Sequence, residues 1–105
     1  MIVVVGRVRT DGERRDELVR VGQRVAAASR EESGCLGYRL YADTEQPDHY
    51  VFVEEWQDLD ALRAHFATLH IAEFMRAVPG LIEGLPDVSF HVVERTLGLG
   101  DFGGS

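Results

Sequence analysis

The segment Met1 to Val8 carries Ile2, Val3, Val4, Val5 and Val8, so β-branched residues occupy both odd and even positions of a strand. Successive strand side chains point to opposite faces, so neither face of this strand is polar and both faces of its sheet are expected to be covered. One layer of helices covers only one face. The second cover is expected from a partner subunit's sheet, because a small domain exposing a whole apolar sheet face would associate. A chain of 105 residues with 45% hydrophobic content forms one domain with its own core and not two. The first strand is too short to span a bilayer, and no positively charged segment precedes it, so a cytoplasmic location is expected.

The remaining elements follow from local patterns. Thr10 and Glu13 have the spacing of a capping box. Leu18, Val21, Val25 and Ala28 then form the apolar stripe of a helix expected to close near Ser33, with Gly34 as its stop. Cys35 to Tyr41 and His49 to Trp56 read as a hairpin across a polar turn containing Pro47. Asp58 can cap a short helix whose buried stripe is Leu59, Leu62 and Phe66, with His65 at the edge. Thr68 can cap another through Ile71, Phe74, Met75 and Val78, ended by Pro79-Gly80, with Met75 read as core packing. Pro86 to Glu94 is the last strand. Strand, helix, strand, strand, helix, strand is the split βαβ order of the ferredoxin-like fold, an α+β class with an antiparallel sheet. Residues 1–95 form this domain, and residues 96–105 form a Gly-rich tail that is either disordered or an arm on the partner.

Composition excludes several functions. Eleven basic against eighteen acidic residues give a net charge of -7 with scattered Arg, which disfavours nucleic acid and anionic membrane as partners. Cys35 is the only cysteine, so no intrachain disulfide or thiolate cluster forms, and it reads as a small buried residue. The chain has no Lys, which excludes Schiff-base chemistry.

The chemistry-bearing residues gather between Tyr38 and Phe74. Tyr50, Phe52, Glu54 and Trp56 share one strand face, so three aromatics surround one carboxylate. His65 is the first candidate for proton transfer, since an imidazole titrates closest to neutrality. The bland alternative is a helix-edge histidine capping a strand carbonyl. Glu54 is the second candidate, as a desolvated carboxylate or as a group orienting His65, against the alternative of an ion pair with Arg7 or Arg39. Tyr38, Phe52, Trp56 and Phe74 are expected to line a pocket suited to a planar aromatic substrate, with His70 near it. His65 and His70 are five apart and lack the i, i+4 pairing of helical zinc sites, so no metal site is expected.

The motif Glu32-Ser33-Gly34-Cys35-Leu36, then Tyr38, then FVEEWQDLDALRAHFATLH over residues 52–70 with Phe74 beyond, resembles the antibiotic biosynthesis monooxygenase family. The resemblance covers roughly Ile2 to Glu94. It implies a dimeric α/β barrel of two ferredoxin-like domains and, as in the best-studied members, oxygenation of quinols or polycyclic phenols without metal or flavin. Other relatives degrade haem, isomerise small phosphorylated diketones, or have no established activity. The haem-degrading branch uses an Asn, a Trp and a His at positions occupied here by Gly6, His65 and Met75, so haem oxygenation is not expected. The leading expectation is a cofactor-independent homodimeric monooxygenase using molecular oxygen on a quinol or polycyclic phenol. His65 and Glu54 are its catalytic residues, and Tyr38, Phe52, Trp56, His70 and Phe74 hold the substrate. An isomerase of a small carbonyl compound and a non-catalytic ligand-binding dimer are the alternatives. Convergent Arg residues would favour the isomerase, and here the aromatics outnumber the plausible Arg contacts.

Overall fold

A computed structural model describes residues Met1–Gly103; the end of the Gly-rich tail, Gly104 and Ser105, lies outside the described residues. The strands are β1 (Ile2–Arg9), β2 (Cys35–Ala42), β3 (His49–Trp56) and β4 (Asp87–Val92), and the helices are α1 (Arg15–Arg30), α2 (Leu59–Phe66) and α3 (Leu69–Ala77). They build one antiparallel sheet in the order β2-β3-β1-β4, so the chain has the ferredoxin-like α+β fold that its element order implies. Short 3₁₀ turns follow α3 at Val78–Gly80 and occupy the tail at Leu99–Phe102. No described helix is long and apolar enough to cross a membrane.

Register sets which side chains meet. Val4 pairs with Glu54, and Glu54 with Tyr38; Gly6 pairs with Phe52, and Phe52 with Leu40. Directly paired residues point the same way, so Ile2, Val4 and Val8 share the helix-facing side with Phe52, Glu54, Trp56 and Tyr38, all of them buried. The opposite side of β1 is less uniform than its sequence suggests. Val3 and Val5 are half-buried there, but the alternation continues into exposed Arg7 and Arg9, so this face is apolar at one end and charged at the other.

Both ends of α1 differ from the sequence reading, each for a tertiary reason. Thr10 does not cap α1. Its hydroxyl donates to the Leu81 carbonyl at 2.7 Å, tying the end of β1 to the segment after α3, while the Asp11 carboxylate accepts from the Glu13 and Arg14 amides at 3.0 Å each. α1 ends at Arg30 rather than near Ser33, and Gly34 serves a different purpose from a helix stop. A Cβ at Gly34 would lie 2.3 Å from the Ala61 Cβ, so glycine here lets α2 press onto the turn that follows α1. The buried positions of α1 are Leu18, Gly22, Val25, Ala26 and Ser29, with Val21 and Ala28 only half-buried.

α2 and α3 are capped as their sequences suggest, with Asp58 accepting from the Ala61 amide at 2.8 Å and Thr68 from the Ile71 amide at 3.4 Å. Their buried stripes are narrower than expected. α2 buries Leu62 and His65 while Leu59 and Phe66 stay exposed, and α3 buries Ile71 while Met75 is exposed rather than core. The cause is uneven cover of the sheet. α1 packs on β2 and α2 on β3, leaving the apolar side chains of β4, Val88, Phe90 and Val92, open on the helix-facing side. β4 itself is shorter than the Pro86 to Glu94 expected.

Candidate active site

That uncovered side of the sheet becomes one wall of a cavity of about 310 Å³. Val4, Gly6, Val88 and Phe90 supply the sheet wall. Ile71, Phe74 and Met75 of α3 supply the opposite one, and Pro79, Ile82, Leu85 and Pro86 close the end. Tyr38, Phe52, Glu54, His65 and Phe74, among the residues singled out in the sequence, all line it. Phe52 and Phe74 meet edge to face at 5.3 Å, which holds the two walls together. Trp56 and His70 do not line the cavity. Trp56 is fully buried, and the His70 ring lies 5.9 Å from that of His65.

Glu54 projects from the middle of β3 into this apolar space. It is buried, and its Oε1 accepts a hydrogen bond from the Trp56 indole Nε1 at 2.9 Å. Burial pushes its carboxyl above the usual carboxylate range; the hydrogen bonds from Trp56 and Tyr38 oppose that rise, and the negative charge of Glu32 adds to it. The Tyr38 phenol is pushed up in turn, first by burial and then by the charge of Glu54. Glu54 is not paired with Arg7 or Arg39. Those residues lie opposite Val51 and Val53 on the other side of the sheet, which the alternation of β3 makes unreachable from position 54.

A raised carboxyl means that the folded protein holds this proton more tightly than the unfolded chain does. As pH rises through the unfolded value, about 4.3, toward the folded one, stability falls, and above both the ionised carboxylate costs a constant amount. Glu54→Gln keeps an acceptor for Trp56 and removes the charge. We expect it to melt higher than wild type by about a few degrees at neutral pH, with the advantage shrinking toward pH 4. Thermal melts between pH 4 and pH 8 measure this; a wild-type-to-variant difference that does not change with pH would refute it.

His65 sits deeper than the helix edge its sequence position suggests, with 1% of its surface exposed. Its ring lies 4.5 Å from Trp56 and 5.7 Å from Tyr38. Nδ1 is 2.7 Å from Glu32 Oε2, and His70 Nε2 is 2.8 Å from the same oxygen. A carboxylate oxygen only accepts, so both nitrogens carry a hydrogen and donate to it. His65 therefore caps no strand carbonyl through its ring. Its tautomer is set by Glu32, which leaves Nε2 with the lone pair. Burial pushes the pKa of His65 down, against the opposing pull of the Glu32 hydrogen bond and charge, so the ring is held neutral near neutrality.

Glu32 is the residue that reading along the chain missed. It belongs to the Glu-Ser-Gly-Cys-Leu run but has no helical or strand periodicity to mark its direction, because α1 stops two residues earlier. The available signal was Gly34: a glycine beside a charged residue at a helix end marks a close approach as readily as a stop. Cys35 is half-buried rather than fully buried, and burial pushes its thiol up, away from the thiolate form.

The model of the antibiotic biosynthesis monooxygenase family matches residues 1–77. An uncharacterized protein of Synechocystis sp. is 28% identical over 95 residues, which span 90% of this chain and 65% of that protein, so the chain covers just under two thirds of that relative's length. The Escherichia coli K12 protein named "Probable quinol monooxygenase YgiN" is 27% identical over 90 residues, 76% of this chain and 86% of its own. Among solved structures, the Streptomyces nogalater protein SnoaB, described as a cofactor-independent oxygenase, superposes with a TM-score of 0.79 at 23% identity, covering 91% of this chain and 95% of SnoaB; at that identity the likeness is one of fold. The family match spans well over half the sequence, from β1 through α3, and includes every element that builds the cavity except the 3₁₀ turn Val78–Gly80, the loop after it and β4. The chain belongs to the antibiotic biosynthesis monooxygenase family.

Proposed function

We propose that the protein is a cofactor-independent monooxygenase that oxidises a quinol or polycyclic phenol with molecular oxygen, and that it works as a homodimer. The observation that carries this reading is a neutral, buried His65, oriented by Glu32, in the wall of an apolar cavity lined by Tyr38, Phe52 and Phe74. Neutral imidazole is the form that accepts a proton, and a dry cavity strengthens that transfer. His65 Nε2 takes the phenolic proton, and the resulting phenolate is electron-rich enough to reduce oxygen. The balance closes without another reductant: a quinol plus O₂ gives a hydroxyquinone plus water, with one oxygen atom entering the ring and the substrate supplying all the electrons. Glu54 and its Trp56 hydrogen bond border the reacting space and hold the adjacent Tyr38 in place.

Family membership supports monooxygenation, and the name of the Escherichia coli relative and the description of SnoaB suggest the quinol substrate and the lack of cofactor. No Arg is among the described residues that line the cavity, which counts against a phosphorylated substrate and hence against an isomerase of the kind known in the family. The homodimer reading rests on Val3, Val5, Val51 and Val53, half-buried in an isolated chain on the sheet face without helices. Light scattering at micromolar concentration should give twice the chain mass of 11.7 kDa, and a monomer with a cooperative melt would refute it. The activity is tested by oxygen uptake of metal-stripped protein against a panel of quinols and anthrones. Uptake matched one to one by substrate loss is expected; folded protein with no uptake on any of them would overturn the assignment.

A further inference from the structure

Behind the cavity wall, three donors from three separate elements meet. Glu32 comes from the turn after α1, His65 from α2 and His70 from the first turn of α3. Their ligand atoms, Glu32 Oε2, His65 Nδ1 and His70 Nε2, all lie within 4.8 Å of one another. His65 forms the buried floor, Glu32 is mostly buried, and 27% of the His70 side chain is exposed, so the cluster is reachable from water on one side only. We propose that Glu32, His65 and His70 form a binding site for a divalent transition-metal ion of the zinc class.

Two imidazoles and one carboxylate form a donor set that zinc accepts in tetrahedral geometry with an open fourth position, at bond lengths of about 2.0–2.2 Å. Imidazole donors favour zinc, cobalt, nickel and copper over magnesium and calcium, which take oxygen ligands. The present spacing is a little tight for an ion. Tetrahedral bonds of that length put donor atoms about 3.3 Å apart, whereas the two nitrogens now stand 2.7 Å and 2.8 Å from the oxygen. Opening each by about half an ångström is within reach of side-chain torsions, since all three groups already converge.

The ion replaces two hydrogen bonds, and the protons must move. Nδ1 of His65 and Nε2 of His70 carry hydrogens toward Glu32 in the free protein; coordination needs a lone pair at each, so each of these nitrogens gives up its hydrogen, which in the neutral His65 ring moves to the other nitrogen. For His65 the other nitrogen is Nε2. On the reading of His65 as the base, on which this consequence rests, an occupied site has no base to offer and the enzyme is silenced by the metal.

The experiment uses the full chain, stripped of metal, with Co²⁺ and Zn²⁺ as probes. Co²⁺ should raise the visible absorption bands of a four-coordinate nitrogen and oxygen site, and calorimetry should count one Zn²⁺ per chain. His70→Ala removes a partly exposed ligand and Glu32→Gln removes the charge while keeping its shape; each should weaken Zn²⁺ by at least about tenfold, the least that losses around metal sites usually cost. Far-ultraviolet dichroism checks that both variants are folded. No cobalt bands and no zinc heat with wild type up to millimolar metal would overturn the site, as would an unchanged affinity in both folded variants. Zn²⁺ should also stop oxygen uptake, with recovery on adding a chelator; binding without inhibition would overturn the proton shift at His65 and leave the site standing. Because cobalt absorption needs no substrate, failure of the metal site and failure of the oxygenase reading are separately visible.

Discussion

Turnover of a confirmed quinol should fall by about 10²-fold or more in His65→Ala, since a positioned general base typically contributes 10²- to 10⁴-fold. The expectation rests on the placement of His65, with Nδ1 fixed by Glu32 at 2.7 Å and the ring lining the cavity. Substrate affinity should be largely kept, because Tyr38, Phe52 and Phe74 still form the lining, so the loss belongs in kcat more than in KM. Glu54→Gln should lose less, since it removes a charge beside the reacting space and not the base. His65 is buried, so its removal also leaves a gap against Trp56 and takes one of two hydrogen-bond partners from Glu32 Oε2, which keeps His70. Steady-state kinetics must therefore be read beside a melt of the same sample, with turnover scaled to folded protein. A His65→Ala protein that is folded and turns over at the wild-type rate would make His65 structural.

The largest stability loss is expected at Trp56→Ala. Trp56 is fully buried at the end of β3, with His65 packed at 4.5 Å and Tyr38 at 6.4 Å, and its indole is the hydrogen-bond donor to Glu54. Truncating a buried Trp or Phe to Ala costs about 3–5 kcal/mol, and stranding a buried acceptor adds about 1–3 kcal/mol. Against a typical total of about 5–15 kcal/mol this is a large share of the stability, so the melting temperature should drop by at least about 12 °C. Trp56→Phe separates the two contributions, as it keeps most of the packing and strips only the N–H. Melts must be compared at equal protein concentration, because association would make them concentration-dependent. A Trp56→Ala protein melting within a few degrees of wild type would show that the Trp56 and Glu54 pair is not the keystone of this end of the sheet.

How far these two residues could be read from sequence differs. Trp56 and Glu54 share a strand face by simple alternation, and their proximity follows from positions two apart. The same local logic made the element order legible, together with the Asp58 and Thr68 caps, since a cap involves residues three apart in the chain. The family resemblance rested on the same stretch, where strand, cap and helix adjoin. Periodicity, alternation and capping are properties of neighbours, and neighbours are what a sequence displays.

What reading along the chain could not settle was each contact made across it. Thr10 looked like a cap because Glu13 stands at the right spacing, but its hydroxyl is drawn to Leu81, seventy-one residues away, once β1 is seated. Met75 looked like core because it sits at helical spacing, yet the sheet beneath it is uncovered at β4, so it borders the cavity instead. His65 and His70 lack the i, i+4 spacing of a helical pair, and although the new start at Thr68 was legible, only the packed layers show that the two rings converge on one carboxylate oxygen. Glu32 joins them from thirty-three and thirty-eight residues away, because α2 closes onto Gly34 where no Cβ could fit. Sequence alone thus determined the fold class, the aromatic face of β3 and the importance of the stretch that carries His65. The tertiary structure decided which of those side chains reach the cavity and which carboxylate holds the histidines, because burial and hydrogen bonding between distant segments are settled only when the layers pack.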